Sequence, residues 1–520
     1  NNTSGNTWTA AYTANLSDVD GAISYQLAVT ENGTSNSSSY TGGGVSFDNT
    51  APTLDSVGIA SNNGTSTSWA TTGNEVTLTF TANESIQTPS GTDVVFFSGG
   101  APITNAGAIT YNNTSGNTWT AKYTAHTNDT DGLVTFTINF DDLAGNSGTQ
   151  VTSVNNSSSV TYDETAPTLS GVGIASDNSP NNLANAGDIV TLTMTSNEPI
   201  LQPTVTFQSG GAAINDGSVT YANTSGNTWI ASYTANAGDT EGNITFSVAF
   251  SNLAGISGVA DTTVDDSSAV TFDKTAQALQ IVSIASNNSP GPTTHAKVGH
   301  EVIISITANE VISRPTVSFE SGGAAIANGG AITYANPSGN NWTAKYTAAS
   351  GDIEGLITFS ISYSDGAGNA GTGVTAVTDG TSVTFDKTVP TLSSLSLVSN
   401  NNPSTLANTD DSVTLTVVGS EVLQQPTVVF SSGGNVVADS SITYANPSGN
   451  TWTARYEPES GDTEGNITFS IDFDDLAGND GVDVTAVTDG TSVTFDKTVP
   501  TLTSVSIASD NSTTTLAKVG

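Results

Sequence analysis

Carboxylates recur along this chain at fixed places, in three patterns whose oxygens suit hard cations. The first is D-x-[DE]-G, found at Asp18 and Asp20, Asp129 and Asp131, Asp239 and Glu241, Asp352 and Glu354, and Asp462 and Glu464. Two acids two residues apart before a glycine can converge in a tight turn and offer oxygens to Ca²⁺. The same pattern also forms where the Asp bonds its own backbone and the Gly takes a positive φ. The second is D-x-A-G-N, which begins at Asp142, Asp365 and Asp475; one copy departs, running from Asn252 to Ile256 and losing both the Asp and the Asn that end the motif elsewhere. If this loop binds an ion, the unit carrying Asn252 is expected to bind it most weakly. The third is an Asp opening D-x-T, at Asp48, Asp163, Asp273, Asp386 and Asp496, joined by an acid in N-E or S-E at Glu84, Glu198, Glu310 and Glu421. Calcium is the ion expected at one or more of these places, since it would neutralise repelling charges and stiffen the joints; surface acids held in solvent are the alternative.

Catalysis lacks candidates. General-base and nucleophilic chemistry needs a His, Cys or Lys set against a partner. The chain has no Cys, and its histidines, His126, His295 and His300, occupy unrelated places in the repeat. His300 stands where Asn74 and Asp188 stand elsewhere and reads as an exposed turn residue. Paired carboxylates can hydrolyse glycosides, but a pair repeated on tight turns offers no cleft for a sugar. Pairs such as Gly210 and Gly211 open no helix and read as turns, so the chain is not expected to be an enzyme.

The elements that place these acids follow from an internal repeat. Trp8, Trp119, Trp229, Trp342 and Trp452 recur about 110 residues apart, each followed four positions later by Tyr12, Tyr123, Tyr233, Tyr346 or Tyr456; Trp69 lies outside this register. Trp and Tyr at that spacing share one strand face and read as core. The D-x-T anchor mostly continues as [AV]-P-T-L, with Pro52, Pro167, Pro390 and Pro500 fixing an extended entry into each unit and Gln277 replacing the proline once. Units are therefore expected at 48–162, 163–272, 273–385 and 386–495, with a C-terminal part at 1–47 and the start of another at 496–520, as in part of a longer array. Within 163–272, strands are predicted at 169–175, 189–196, 204–207, 218–221, 229–233, 244–250 and 269–272, with Val190, Leu192 and Met194 on one face. The expected fold is all-β: tandem immunoglobulin-like β-sandwich modules of about 110 residues, arranged end to end.

Composition narrows the partners. Across 520 residues the formal charge is −39, which repels phosphate backbones and anionic lipid, so binding to nucleic acid is not expected. Apolar runs such as 94–97 and 302–304 are far below the roughly 18 residues of a membrane span, and no signal peptide is visible.

The linker D-x-T-A-P-T-L, the G-D-T-E-G turn and D-L-A-G-N, recurring in order over essentially the whole chain, resemble the bacterial Ig-like repeats of very large surface adhesins. That resemblance implies calcium between modules, held by acids such as Asp163, Asp273, Asp386 and those of D-x-A-G-N. It also implies an extracellular or cell-surface location and a stalk that contacts mainly its own neighbouring modules. The family includes fibres and surface-layer components, so assembly with identical chains into a filament or sheath is the alternative, and a carbohydrate-binding accessory region of a secreted enzyme ranks third. Lysine to asparagine cross-links occur in some such modules, yet Lys274, Lys387 and Lys497 give way to Asn49 and Glu164 in equivalent linkers, which argues against them here. Sequons at Asn113, Asn223, Asn243, Asn341 and Asn466 would matter only in an organism that glycosylates its surface.

Overall fold

In 163–272 the alternation seen in sequence becomes two facing sheets. The structure is a computed structural model, and it describes residues 2–5, 7–31, 34–40, 44–104, 108–215, 217–327, 331–437 and 442–519. The strands are β1 (Leu169–Ser176), β2 (Leu183–Ala184), β3 (Ile189–Ser196), β4 (Thr204–Ser209), β5 (Ala212–Ala213), β6 (Thr220–Ser225), β7 (Thr228–Thr234), β8 (Gly242–Ala249) and β9 (Thr271–Phe272). One sheet has the order β1-β3-β7-β6 and the other β2-β9-β8-β4-β5, all antiparallel except the β2–β9 pair. This is the ABED-against-GFC arrangement of an immunoglobulin-type sandwich, with the first strand split so that its second piece, β2, joins the opposite sheet. The same two sheet orders recur in the strands of 54–162, 279–385 and 392–495. Tandem Ig-like β-sandwiches are thus the architecture of the chain. No helix among the described residues is long and apolar enough to cross a membrane.

Side chains alternate across each strand, so β3 sends Val190, Leu192 and Met194 fully inside. β4 and β7 face each other across the core through Phe207 and Tyr233, whose rings lie 4.8 Å apart and tilted by 40°. Trp229 is half-buried and packs against the same core. Strands missing from the sequence reading are β2 and β5, two residues each, too short to show a period. Trp69 lies on the counterpart of β2, pairing parallel with Thr161 as Leu183 pairs with Thr271. His300 is half-buried instead of exposed: its Nδ1 accepts the Lys297 N–H at 3.3 Å, the turn-closing role that Asp188 plays toward Asn185 at 2.7 Å.

Two compact units divide the chain, residues 1–274 and 275–520.

Candidate metal sites at the module junctions

β8 runs from one pole of the sandwich to the other, and this places the motifs. D-x-[DE]-G precedes β8 at the exit pole, where β9 also ends and the following linker leaves; the D-x-A-G-N position follows β8 at the entry pole. The glycine of D-x-[DE]-G is required there. Gly242 has φ +132, and a Cβ on it would lie 3.0 Å from Gly210 Cα, so the two turns touch backbone to backbone.

The structure turns the two acids of D-x-[DE]-G toward different partners. Asp129, Asp239 and Asp352 are buried and bind their own module: Asp129 accepts the N–H groups of Thr104 at 2.7 Å and His126 at 2.9 Å, Asp239 those of Asn215 and Asn236, and Asp352 those of Ala327 and Ala349. Asp462 takes the Tyr456 hydroxyl and the Glu459 N–H. The second acid reaches the linker. Asp131 accepts from Glu164 N–H and Thr165 Oγ1, Glu241 from Lys274 N–H, Glu354 from Lys387 N–H and Thr388 Oγ1, and Glu464 from Lys497 N–H and Thr498 Oγ1. The Thr388 and Lys387 donors hold the Glu354 carboxyl below its ordinary range, and the Thr498 and Lys497 donors do the same for Glu464.

The linker lysines have a role that sequence reading missed. Lys387 Nζ donates to the carbonyls of Ser350 at 3.0 Å and Asp352 at 2.7 Å, Lys497 likewise to Ser460 and Asp462, and Lys274 to Ala237 and Asp239. Each ammonium therefore caps the exit turn. No sequence signal marks this, because the acceptors are backbone carbonyls.

The linker, the N-E or S-E acid and the D-x-A-G-N acid come together at the entry pole. In the first unit carboxylate oxygens of Asp48, Glu84 and Asp142 all lie within 4.8 Å of one another, and in the second unit those of Asp386, Glu421 and Asp475 do so. Asp142 and Asp475 are buried, while their partners are half-buried. The loop Asn fixes the arrangement: Asn479 donates its backbone N–H to Asp475 Oδ1 at 2.9 Å and its Nδ2 to Asp475 Oδ2 at 2.8 Å and to the Asp386 carbonyl at 3.1 Å. Asn146 makes the same set to Asp142 and the Asp48 carbonyl. Glu310 and the buried Asp365 occupy the equivalent places in 275–520, with Asn369 bonded to Asp365; Asp273 and Asp496 are linker acids at the C-terminal ends of sandwiches.

Clustered negative charge shows in the acidities. Burial, then Asp386 and Asp475, pushes Glu421 up to about 7. Burial, then Asp48, Asp142 and Asp20, raises Glu84; burial, then Asp475 and Glu354, raises Asp386 against the pull of the Thr388 N–H. At Asp142 the burial penalty is outweighed by the Asn146 donors, and its carboxyl lies low. The spacing admits one hard cation, because two oxygens bonded to the same ion at about 2.4 Å stand at most about 4.8 Å apart. The three carboxylates can therefore face a single ion.

Glu421 carries a pH prediction. Its folded pKa of about 7 exceeds the ordinary 4.5, so the folded state holds a proton more tightly than the unfolded one. In chelator, stability of the 392–495 sandwich should rise as pH falls from 7 to 4.5 and decline as pH rises through that window. Calcium should flatten the dependence by favouring the ionised form. Thermal unfolding against pH, with and without calcium, checks this; a stability that climbs with pH in chelator would refute it.

No family model and no curated protein matches the sequence. Among solved structures, the chain is similar to a tetra-tandem repeat in the extending region of a large adhesion protein, with 14% identity and a TM-score of 0.28 over 85% of this chain and 99% of that one. It is similar to the I-band fragment I67-I69 of titin at 12% identity and TM-score 0.26, over 64% and 100% of the two chains. The eight N-terminal Ig domains of Down Syndrome Cell Adhesion Molecule match at 14% and 0.22, over 92% and 53%.

Proposed function

We propose that this chain is a non-enzymatic spacer of an extracellular, cell-surface protein of the adhesin type, whose module junctions take up calcium and are stiffened by it. The observation that supports this reading most is the meeting of Asp386, Glu421 and Asp475, brought from a linker and two loops onto one point where a module joins its neighbour. A charge of −39 spread over repeated sandwiches gives the chain little reason to gather carboxylates at joints unless a cation is present to offset the repulsion. In an extracellular setting, where calcium sites commonly have Kd on the order of 10⁻⁴ to 10⁻³ M, a triad of acids is a sufficient donor set once water and carbonyls complete the sphere.

Calorimetric titration of the full chain with calcium tests it. Saturable binding is expected, with stoichiometry falling by two when Asp142→Asn and Asp475→Asn are combined. No heat of binding at millimolar calcium, or a stoichiometry unmoved by the double substitution, would defeat the reading.

A further inference from the structure

At the junction around Asp163 the D-x-A-G-N acid is replaced by Asn252, and the structure gives that amide a definite task. Asn252 is fully buried. Its Nδ2 donates to Asp163 Oδ2 at 2.9 Å and to the Thr165 carbonyl at 3.0 Å, while its Oδ1 accepts the Ile256 N–H at 2.8 Å. At the Asp48 and Asp386 junctions the linker carbonyl is tied from the other end of the loop, by Asn146 and Asn479. Ile256 has no side-chain donor, so Asn252 ties the linker and also sets an N–H against the linker carboxylate, on the side where the third acid faces its partners elsewhere. A second amide crosses the same junction. Asn63, from the preceding module, donates Nδ2 to the Ala254 carbonyl at 2.9 Å while its Oδ1 accepts the Thr65 N–H at 2.8 Å.

We infer that the junction at Asp163 is a cation-independent joint, in which the amides of Asn252 and Asn63 hold adjoining modules where calcium holds them at the Asp48 and Asp386 junctions. The inference rests on the calcium reading above for its contrast, but the amide bonds stand without it. Replacing one of three carboxylates by an amide removes a negative oxygen ligand and, of the two acids that remain, Asp163 and Glu198, points a donor at Asp163, which disfavours a cation and satisfies that carboxylate directly. A buried hydrogen bond to a charged group also has no dependence on free ion concentration, so this joint keeps its geometry when calcium is scarce. The sequence alone predicts the weakest ion binding here. The structure adds that the joint is not left loose by it.

Hydrogen exchange of the full chain, with calcium and with chelator, tests this. Wild type should show protection at 163–168 and 252–256 that is the same in both conditions, whereas 386–391 and 475–479 gain protection with calcium. Asn252→Asp should lower protection at 163–168 about tenfold in chelator and make it calcium-responsive, with strand Gly242–Ala249 unchanged as the sign of an intact sandwich. Asn63→Asp, which keeps the Oδ1 acceptor and loses the donor, should loosen 252–256 in either condition. The inference is overturned if wild-type 163–168 responds to calcium as 386–391 does, or if neither variant changes exchange in chelator. If no junction responds to calcium but both variants loosen theirs, the calcium reading fails and the amide joint survives.

Discussion

Phe430→Ala is expected to destabilise its sandwich by about 3–5 kcal/mol, the cost of removing a large ring from a closed core. Phe430 is fully buried and stacks on Tyr456 with centroids 5.6 Å apart and planes 24° from parallel. It joins the two sheets, since Thr427–Ser432 belongs to one and Thr451–Tyr456 to the other. With no cysteine in the chain, no disulfide shares that task. The loss should remain local, because a tandem array is stabilised module by module with nearest-neighbour terms. Exchange protection of Gly465–Asp472 should fall by about a hundredfold or more while that of Gly242–Ala249 is unchanged. A uniform loss along the chain would show that the sandwiches do not fold as separate cores.

Calcium at about 100 times its Kd is expected to stabilise the 392–495 sandwich by about 2.7 kcal/mol, and Asp475→Asn to remove that gain. The substitution keeps the bond that closes the loop, as the counterpart Asn252 shows: its Oδ1 accepts the Ile256 N–H at 2.8 Å, just as Asp475 Oδ1 accepts the Asn479 N–H at 2.9 Å, while the bond from Asn479 Nδ2 to Asp475 Oδ2 is lost. The loop turn therefore survives with one carboxylate fewer. Without calcium, Asp475→Asn should change the junction little, since removing a charge that raises both Glu421 and Asp386 is offset by losing the Asn479 Nδ2 bond to Asp475 Oδ2. Chemical unfolding monitored by exchange at Gly465–Asp472 reads both effects. A variant that keeps the full calcium gain would place the ion elsewhere.

Much of the fold was legible in the sequence. The alternation of Val190, Leu192 and Met194 and the recurrence of Trp and Tyr sufficed for long strands and a sandwich, because period and burial are local properties of the chain. The two-residue strands Leu183–Ala184 and Ala212–Ala213 were not legible, having too few residues to show a period. The site was legible as three separate motifs but not as one place. Asp386, Glu421 and Asp475 are far apart in sequence, and only the topology, which sets the linker and the loops before and after the sheet strands at one pole, brings them together. D-x-[DE]-G appeared as a pair of equal acids, yet its first member serves a backbone turn and its second the linker, a division that depends on side-chain direction around Gly242 and its counterparts. The bonds from Asn63 and Lys387 go to carbonyls, which every residue has, so residue type alone gave no hint of them.

Small-angle scattering of the full chain, with calcium and then with chelator and at several protein concentrations, tests the central claim most directly. The account predicts a longer maximum dimension with calcium at constant mass, reversed by chelator and absent when Asp142→Asn and Asp475→Asn are combined. Dimensions indifferent to calcium, or a mass that grows with concentration, would contradict an ion-stiffened spacer, and the second result would point to a subunit that assembles into filaments.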